Sequence, residues 1–164
     1  MKKLLLLLMI VPMIGFGQCI SGDCENGLGI YTWDEGDIYT GEWRYGKTHG
    51  YGTYVYSNGS EYIGEWKNGE RHGQGTYTWD NGDKYVGEYW LDEEHGRGIM
   101  TWSHGDIFIG EYIKGERKGN GIYIFSDGDI YIGEFDNIGN GKGKMIYTNG
   151  TIEQGLFEDG EFIE

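Results

Sequence analysis

Five glycines, Gly41, Gly64, Gly87, Gly110 and Gly133, stand 23 residues apart in this 164-residue chain, and a glutamate and an aromatic residue follow each. The phrase reads Gly41-Glu42-Trp43, Gly64-Glu65-Trp66, Gly87-Glu88-Tyr89, Gly110-Glu111-Tyr112 and Gly133-Glu134-Phe135. A Gly-x-Gly pair keeps the same step at 27/29, 50/52, 73/75, 96/98 and 119/121. Both markers then arrive one residue early, at 141/143 and Gly155, so one residue is missing between Phe135 and Gly141. Self-similarity at a fixed period of this length means stacked supersecondary units, none of which buries its apolar face alone. The 32 glycines and the low aliphatic content also argue against one thick globular core.

The third unit shows what each copy builds. Gly75 to Trp79 and Lys84 to Tyr89 are two short runs rich in Thr, Tyr, Trp and Val, and they flank Asn81-Gly82. Asn-Gly is a strong hairpin signal because both residues tolerate positive φ. Every copy keeps the glycine, at Gly36, Gly59, Gly82, Gly105, Gly128 and Gly150. Side chains alternate along a strand. Tyr77 and Trp79 therefore share a face, as do Tyr85, Gly87 and Tyr89, and aromatics take one face throughout. The repeated glycine falls between two aromatics on that face, leaving room for a ring to lie across the backbone. Thr, Ile, Val and the glutamate row occupy the other face. The expected fold is all-β: an elongated single-layer solenoid of six antiparallel hairpins, about twelve strands and roughly 55 to 60 Å long, twisted into a trough.

The ends differ from the array. Lys2 and Lys3 precede an apolar stretch from Leu4 to Ile14 and then Gly15-Phe16-Gly17, the pattern of a cleavable secretory leader over residues 1–17. The stretch is too short to span a membrane. It predicts export to a periplasmic, cell-surface or secreted location. Cys19 and Cys24 are the two cysteines, and in an oxidising compartment they read as a disulfide within an N-terminal cap at 18–28. Lipid attachment at Cys19 is the rival reading, opposed by Gln18 where a small residue is expected. Without the leader the chain carries 11 basic against 27 acidic residues, a net charge of −16, which excludes nucleic acid as a partner.

Tyr62-Ile63-Gly64-Glu65-Trp66, followed by Asn68-Gly69 and His72-Gly73-Gln74-Gly75, resembles the MORN (membrane occupation and recognition nexus) repeat, here in what looks like an exported bacterial type. The resemblance covers an array at 29–157, ahead of an acidic tail at 158–164. It implies single-layer hairpin arrays that act as scaffolds, spacers or binding platforms and not as catalysts. Some family members are associated with phosphoinositide lipids. The last unit departs at Glu153, Gln154 and Leu156, as a capping repeat would.

No residue pattern singles out catalysis, a metal or a cofactor. The glutamates form a uniform row with no distinguished pair, and His49, His72 and His95 repeat about 10 Å apart, too far to share an ion. Charge is more informative. Ten of the 11 basic residues lie at the junctions between repeats, while Asp34, Glu35, Asp37, Asp80, Asp83, Asp106, Asp127 and Asp129 mark the hairpin-turn edge. Arg44, Lys67, Arg71, Arg97, Lys114, Arg117 and Lys118 therefore form a candidate partner-binding edge. Protection against edge association accounts for the same pattern. The expected function is a non-enzymatic exported scaffold binding an unknown protein or envelope component. A glycan-binding aromatic face or a lipid-headgroup-binding edge are the alternatives, although general membrane affinity is not expected of so acidic a chain.

Overall fold

The computed structural model describes residues 17–136, 141–158 and 161–163. The expected leader lies outside the described residues except for Gly17. Fourteen strands follow in order: β1 Gln18–Gly22, β2 Leu28–Thr32, β3 Ile38–Arg44, β4 Lys47–Val55, β5 Glu61–Lys67, β6 Glu70–Thr78, β7 Lys84–Trp90, β8 Glu93–Thr101, β9 Ile107–Ile113, β10 Glu116–Ile124, β11 Ile130–Phe135, β12 Gly141–Ile146, β13 Ile152–Glu158 and β14 Glu161–Phe162. They form one open antiparallel sheet in which each strand pairs only with its sequence neighbours. The two strands beyond the expected twelve come from the ends. The cap contributes β1, where Cys19 and Cys24 are bonded, and the tail contributes β14.

Register shows why the repeat needs its glycines. Gly29, Gly41, Gly52, Gly64, Gly75, Gly87, Gly98, Gly110, Gly121, Gly133, Gly143 and Gly155 are successive cross-strand partners, one glycine from each of β2 to β13. A tyrosine from the same unit lies flat over this row. A Cβ on Gly75 would stand 2.4 Å from the Tyr62 hydroxyl and 2.5 Å from its ring. The hydroxyl itself donates to the carbonyl of Glu65, and Tyr39, Tyr85 and Tyr131 repeat the bond to Glu42, Glu88 and Glu134. The ring over glycine is thus the unit's own tyrosine, folded along its strand.

Those tyrosines belong to the core. Trp43, Tyr39, Trp66, Tyr62, Tyr89, Tyr85, Tyr112, Phe108, Phe135, Tyr131 and Phe157 form one edge-to-face chain, with centroids 4.8 to 5.5 Å apart and planes crossing at 77 to 89°. All eleven are buried. Each such contact adds about 0.5–1.5 kcal/mol beyond the area buried. The contacts alternate between rings of one repeat and rings of the next, so the same geometry closes a repeat and joins it to its neighbour.

The two kinds of turn differ from the sequence expectation. The Asn-Gly type is a three-residue loop: Gly59 N–H donates to Tyr56 C=O and Tyr56 N–H to Ser60 C=O, both at 2.9 Å, and of Asn58 and Gly59 the glycine alone has positive φ. Asn58 is there as a side-chain acceptor, its Oδ1 taking the Ser60 N–H at 2.9 Å; Asn81, Asp127 and Asn149 do the same. The two-residue turns with positive φ at both positions lie at the junctions instead, at Tyr45-Gly46, Asn68-Gly69, Leu91-Asp92 and Lys114-Gly115.

Candidate ligand-binding face

Three of the repeat glutamates, Glu42, Glu65 and Glu88, each close a local irregularity. In β4 two extra residues, Gly50 and Tyr51, bulge out opposite the Gly41/Glu42 step. Gly50 has φ +58°, and a Cβ there would meet the Glu42 carboxyl at 2.3 Å. The Glu42 carboxylate folds over that glycine and accepts the Tyr51 N–H at 3.0 Å; Glu65 takes Gln74 N–H and Glu88 takes Arg97 N–H in the same way. A bulge frees an amide, and the glutamate satisfies it. Gly110-Glu111 and Gly133-Glu134 hold the same places beside Tyr112 and Phe135.

The acidic turn edge is also bonded. Asp37 Oδ1 accepts the Ser57 N–H at 2.8 Å, Asp83 that of Ser103 at 2.7 Å, Asp106 that of Ser126 at 2.8 Å and Asp129 that of Thr148 at 2.7 Å. Every one of these bonds joins a turn to the next repeat's turn. Tyr54 and Tyr123 add hydroxyl bonds to Asp37 and Asp106, at 2.6 and 2.5 Å. The bond from Tyr123, chiefly, holds the Asp106 carboxyl down at about 2. The opposite edge is stitched mainly by backbone: Gly46, Gly69 and Gly115 N–H donate to the carbonyls of Glu25, Thr48 and Glu94, and the side chains of Asn26, His49 and Asp92 accept the N–H of Tyr45, Asn68 and Arg71.

The basic residues stand beside the junction turns but on two faces. Arg71 and Arg117 lie on the aromatic face, opposite Trp66 and Tyr112 across the ladder. Arg97 pairs with Glu111 on the other face, where Lys118 also meets Glu111. Lys67 sits over Trp90 and Arg44 over Tyr45, and Lys114 occupies a turn. The cause is strand alternation. Arg71 and Arg117 each stand six residues before an aromatic-face tyrosine, Tyr77 and Tyr123, an even spacing that marks their face in the sequence. His49, His72 and His95 lie in β4, β6 and β8: the His72 ring stands 4.5 Å from that of Trp90, tilted by 44°, and His49 Nδ1 accepts the Asn68 N–H.

Beside the buried chain runs a second, half-exposed line of rings on the same face, including Trp33, Tyr54, Tyr56, Tyr77, Trp79, Trp102, Tyr123 and Phe125. Arg71 lies over Tyr62, Tyr77 and Tyr89, and Arg117 over Trp102, Phe108 and Tyr123. Burial raises the hydroxyl pKa of Tyr56 to about 12, so that phenol is neutral at any physiological pH.

With this geometry in view, six successive segments, residues 25–38, 39–61, 62–84, 85–107, 108–130 and 131–152, match the MORN repeat. The chain belongs to the MORN repeat family. The matched segments start at the tyrosine strand, so a MORN unit pairs β5 with β6 across the Asn68-Gly69 turn, and the three-residue loop links units. No curated protein matches this MORN chain. Among solved structures it is similar to the TCP10 domain of Danio rerio CPAP in complex with a peptide of Danio rerio STIL, at 12% identity and a TM-score of 0.51. That match covers 77% of this chain but 58% of the other, so the MORN chain spans under two thirds of its length. It is also similar to the SAS-4 (dCPAP) TCP domain of Drosophila melanogaster in complex with a proline rich motif of Ana2 (dSTIL), at 13% identity over 85% of this chain and 89% of that one, with a TM-score of 0.48. What the first of these shows for the MORN chain is the fold. Among the described residues no helix is long and apolar enough to cross a membrane.

Proposed function

We propose that the chain is a non-catalytic scaffold, exported through a cleavable leader, that holds an extended segment of a protein partner across its aromatic face. The observation that carries this is the second line of rings. The buried edge-to-face chain already joins repeat to repeat, yet Trp33, Trp79, Trp102 and their neighbours stay half-exposed on a sheet one strand thick. Aromatic rings left accessible beside a rigid floor favour protein contacts, where Tyr, Trp and Arg supply most of the binding energy. The similar CPAP domain was solved with a peptide, which fits the reading. Export is supported by the leader pattern of residues 1–17 and by the Cys19–Cys24 bond, a linkage that persists in oxidising compartments. A scaffold role is favoured over catalysis because Glu42, Glu65 and Glu88 are each committed to a bulge amide.

The alternatives have less support. A lipid-binding edge needs clustered cations, and the junction cations divide between two faces. A sugar platform needs open flat rings, but Trp33 and Trp102 tilt against Tyr54 and Tyr123 at 33° and 34°, and Arg117 lies over the Trp102 pair. Photoactivatable residues placed at Trp79 and Trp102, and at Ile99 and Ile109 on the opposite face, test the proposal in cells that export the protein. The expected outcome is protein adducts from the first pair alone. Adducts mainly from the isoleucine positions, or none from either pair, would overturn it.

A further inference from the structure

Resting on that scaffold reading, we propose that the C-terminal half of the aromatic face is a subsite for a peptide segment presenting an Asp or Glu carboxylate close beside one large apolar side chain. Arg71 and Arg117 hold the same slot two repeats apart, and each lies over three rings at 5.1 to 5.8 Å. Their charges are treated differently. The Arg71 guanidinium is paired with the Asp92 carboxylate at 3.2 Å and also bonds the Asp92 carbonyl. Among the described residues the ion pairs are Arg71–Asp92 and His104–Asp106, and neither involves Arg117. The junction that follows β11 carries one acid, Asp136, where the junction after β7 carries Asp92, Glu93 and Glu94, and residues 137–140 read Asn, Ile, Gly and Asn. Ring faces attract a guanidinium but leave its N–H fork free, and that fork matches a carboxylate through two parallel bonds.

The apolar half of the subsite adjoins it. A cleft of about 210 Å³ is walled by Tyr123, Phe125, Tyr131, Phe135, Met145 and Phe157, with Arg117 the one charged residue on its described wall. That is room for a single Leu, Ile, Met or Phe side chain. On the other flank of Arg117 the hollow over Trp102 and Tyr112 is lined by Glu94 and Glu116. Two carboxylates there disfavour an acid from that side, so the bound segment has a direction: its acid above Arg117, its apolar residue toward Phe157. Arg71 tied to Asp92, and Arg117 with no ion pair among the described residues, make the recognition specific to one end of an otherwise repetitive face.

Met100 lines the hollow and Met145 the cleft, so two methionine methyls report the two sides separately. The full chain labelled with ¹³C-methyl methionine is titrated with the blocked peptide acetyl-Gly-Ser-Leu-Ser-Glu-Ser-Gly-amide. The expected result is a saturable shift of the Met145 methyl with Met100 little moved. Changing the peptide's Glu to Gln or its Leu to Ala should weaken binding about tenfold or more, as should Arg117→Gln, because charge-assisted pairing and the filled cleft are each lost. The peptide changes leave the protein intact, so they decide the matter even if Arg117→Gln disturbs folding. An unmoved Met145 at millimolar peptide, or equal binding of the Gln peptide, overturns the subsite. If Trp79 and Trp102 still cross-link a protein in that case, the scaffold reading stands and the subsite alone fails.

Discussion

The N-terminal and C-terminal halves of the array are built on one backbone frame but fastened differently. In the first half the aromatic residue after the Gly-Glu pair is tryptophan, and Trp43 and Trp66 donate their indole N–H to the carbonyls of Gly29 and Gly52, at 3.2 and 3.3 Å. In the second half the slot passes to Tyr89, Tyr112 and Phe135, and the Tyr89 hydroxyl is buried without a partner. The ring over the glycine row is anchored by its hydroxyl at Tyr39, Tyr62, Tyr85 and Tyr131, whereas Phe108, in the second half, has none. The outer face changes too: Thr40, Thr53 and Thr76 give way to Val86, Ile99, Ile109, Ile122 and Ile132. The indole anchors are therefore confined to one end, and Arg117 with its cleft lies at the other. Ring shape alone is enough to hold the frame at Phe108, where the hydroxyl anchor is missing.

Substitutions in matched slots test how far that contrast goes. The largest effect is expected from Gly75→Ala, whose new methyl would strike the anchored Tyr62 ring; it should cost about 3–5 kcal/mol, read as a fall in the denaturant midpoint. Gly121→Ala meets the unanchored Phe108 ring, at 2.7 and 2.9 Å, and should cost roughly 1–2 kcal/mol less. Equal losses would show that the hydroxyl anchor does not stiffen the ring. Next is Trp66→Phe, which removes the bond to Gly52 and leaves a void; a loss of about 2–3 kcal/mol is expected.

Acid separates the stitches of the turn edge. Asp106 has a folded pKa of about 2, below the ordinary 3.8, so its contribution is complete above about pH 4 and is lost as pH falls through 2. Discounted for solvent, it amounts to about 1–2 kcal/mol. Amide exchange at Ser126, bonded to Asp106, should accelerate over that window, while Asp80 N–H, held by the Ser60 hydroxyl at 3.1 Å, should not respond to it. Parallel acceleration of both would mean that the whole edge opens together. The smallest effect should be a gain: Tyr89→Phe removes the partnerless hydroxyl and should be neutral or stabilise by up to about 1 kcal/mol, whereas the same change at Tyr62 should destabilise.

Much of the frame was legible because a hairpin array is local. The 23-residue step, the aromatic face and the glycine between two aromatics follow from alternation within strands of seven or nine residues. The turn chemistry was less so. Asn58-Gly59 has the composition of a two-residue turn, yet the loop takes a third residue and uses Asn58 as an acceptor, while Tyr45-Gly46 and Leu91-Asp92 adopt the doubly positive φ that their composition does not advertise. The faces of the junction cations were less legible for another reason: closeness to a junction does not set the face, and the neighbours Arg117 and Lys118 stand opposite Tyr112 on one face and Glu111 on the other.

By itself, then, the sequence determined the number of repeats, the faces of each strand and the pairing of Cys19 with Cys24, because these depend on periods and on residues a few positions apart. The tertiary structure alone decided what each polar group does. Glu42 could have been a surface acid until the bulge at Gly50 placed an amide beneath it, and Asp106 until the next turn brought Ser126 and Tyr123 to it. Arg71 and Arg117 are equivalent by position, and only the carboxylate contributed across the junction at Asp92 makes one of them a structural tie and leaves the other for a ligand. Those partners are set by stacking one repeat on the next. Stacking brings together groups about twenty residues apart, a separation at which strand alternation carries no information about contact.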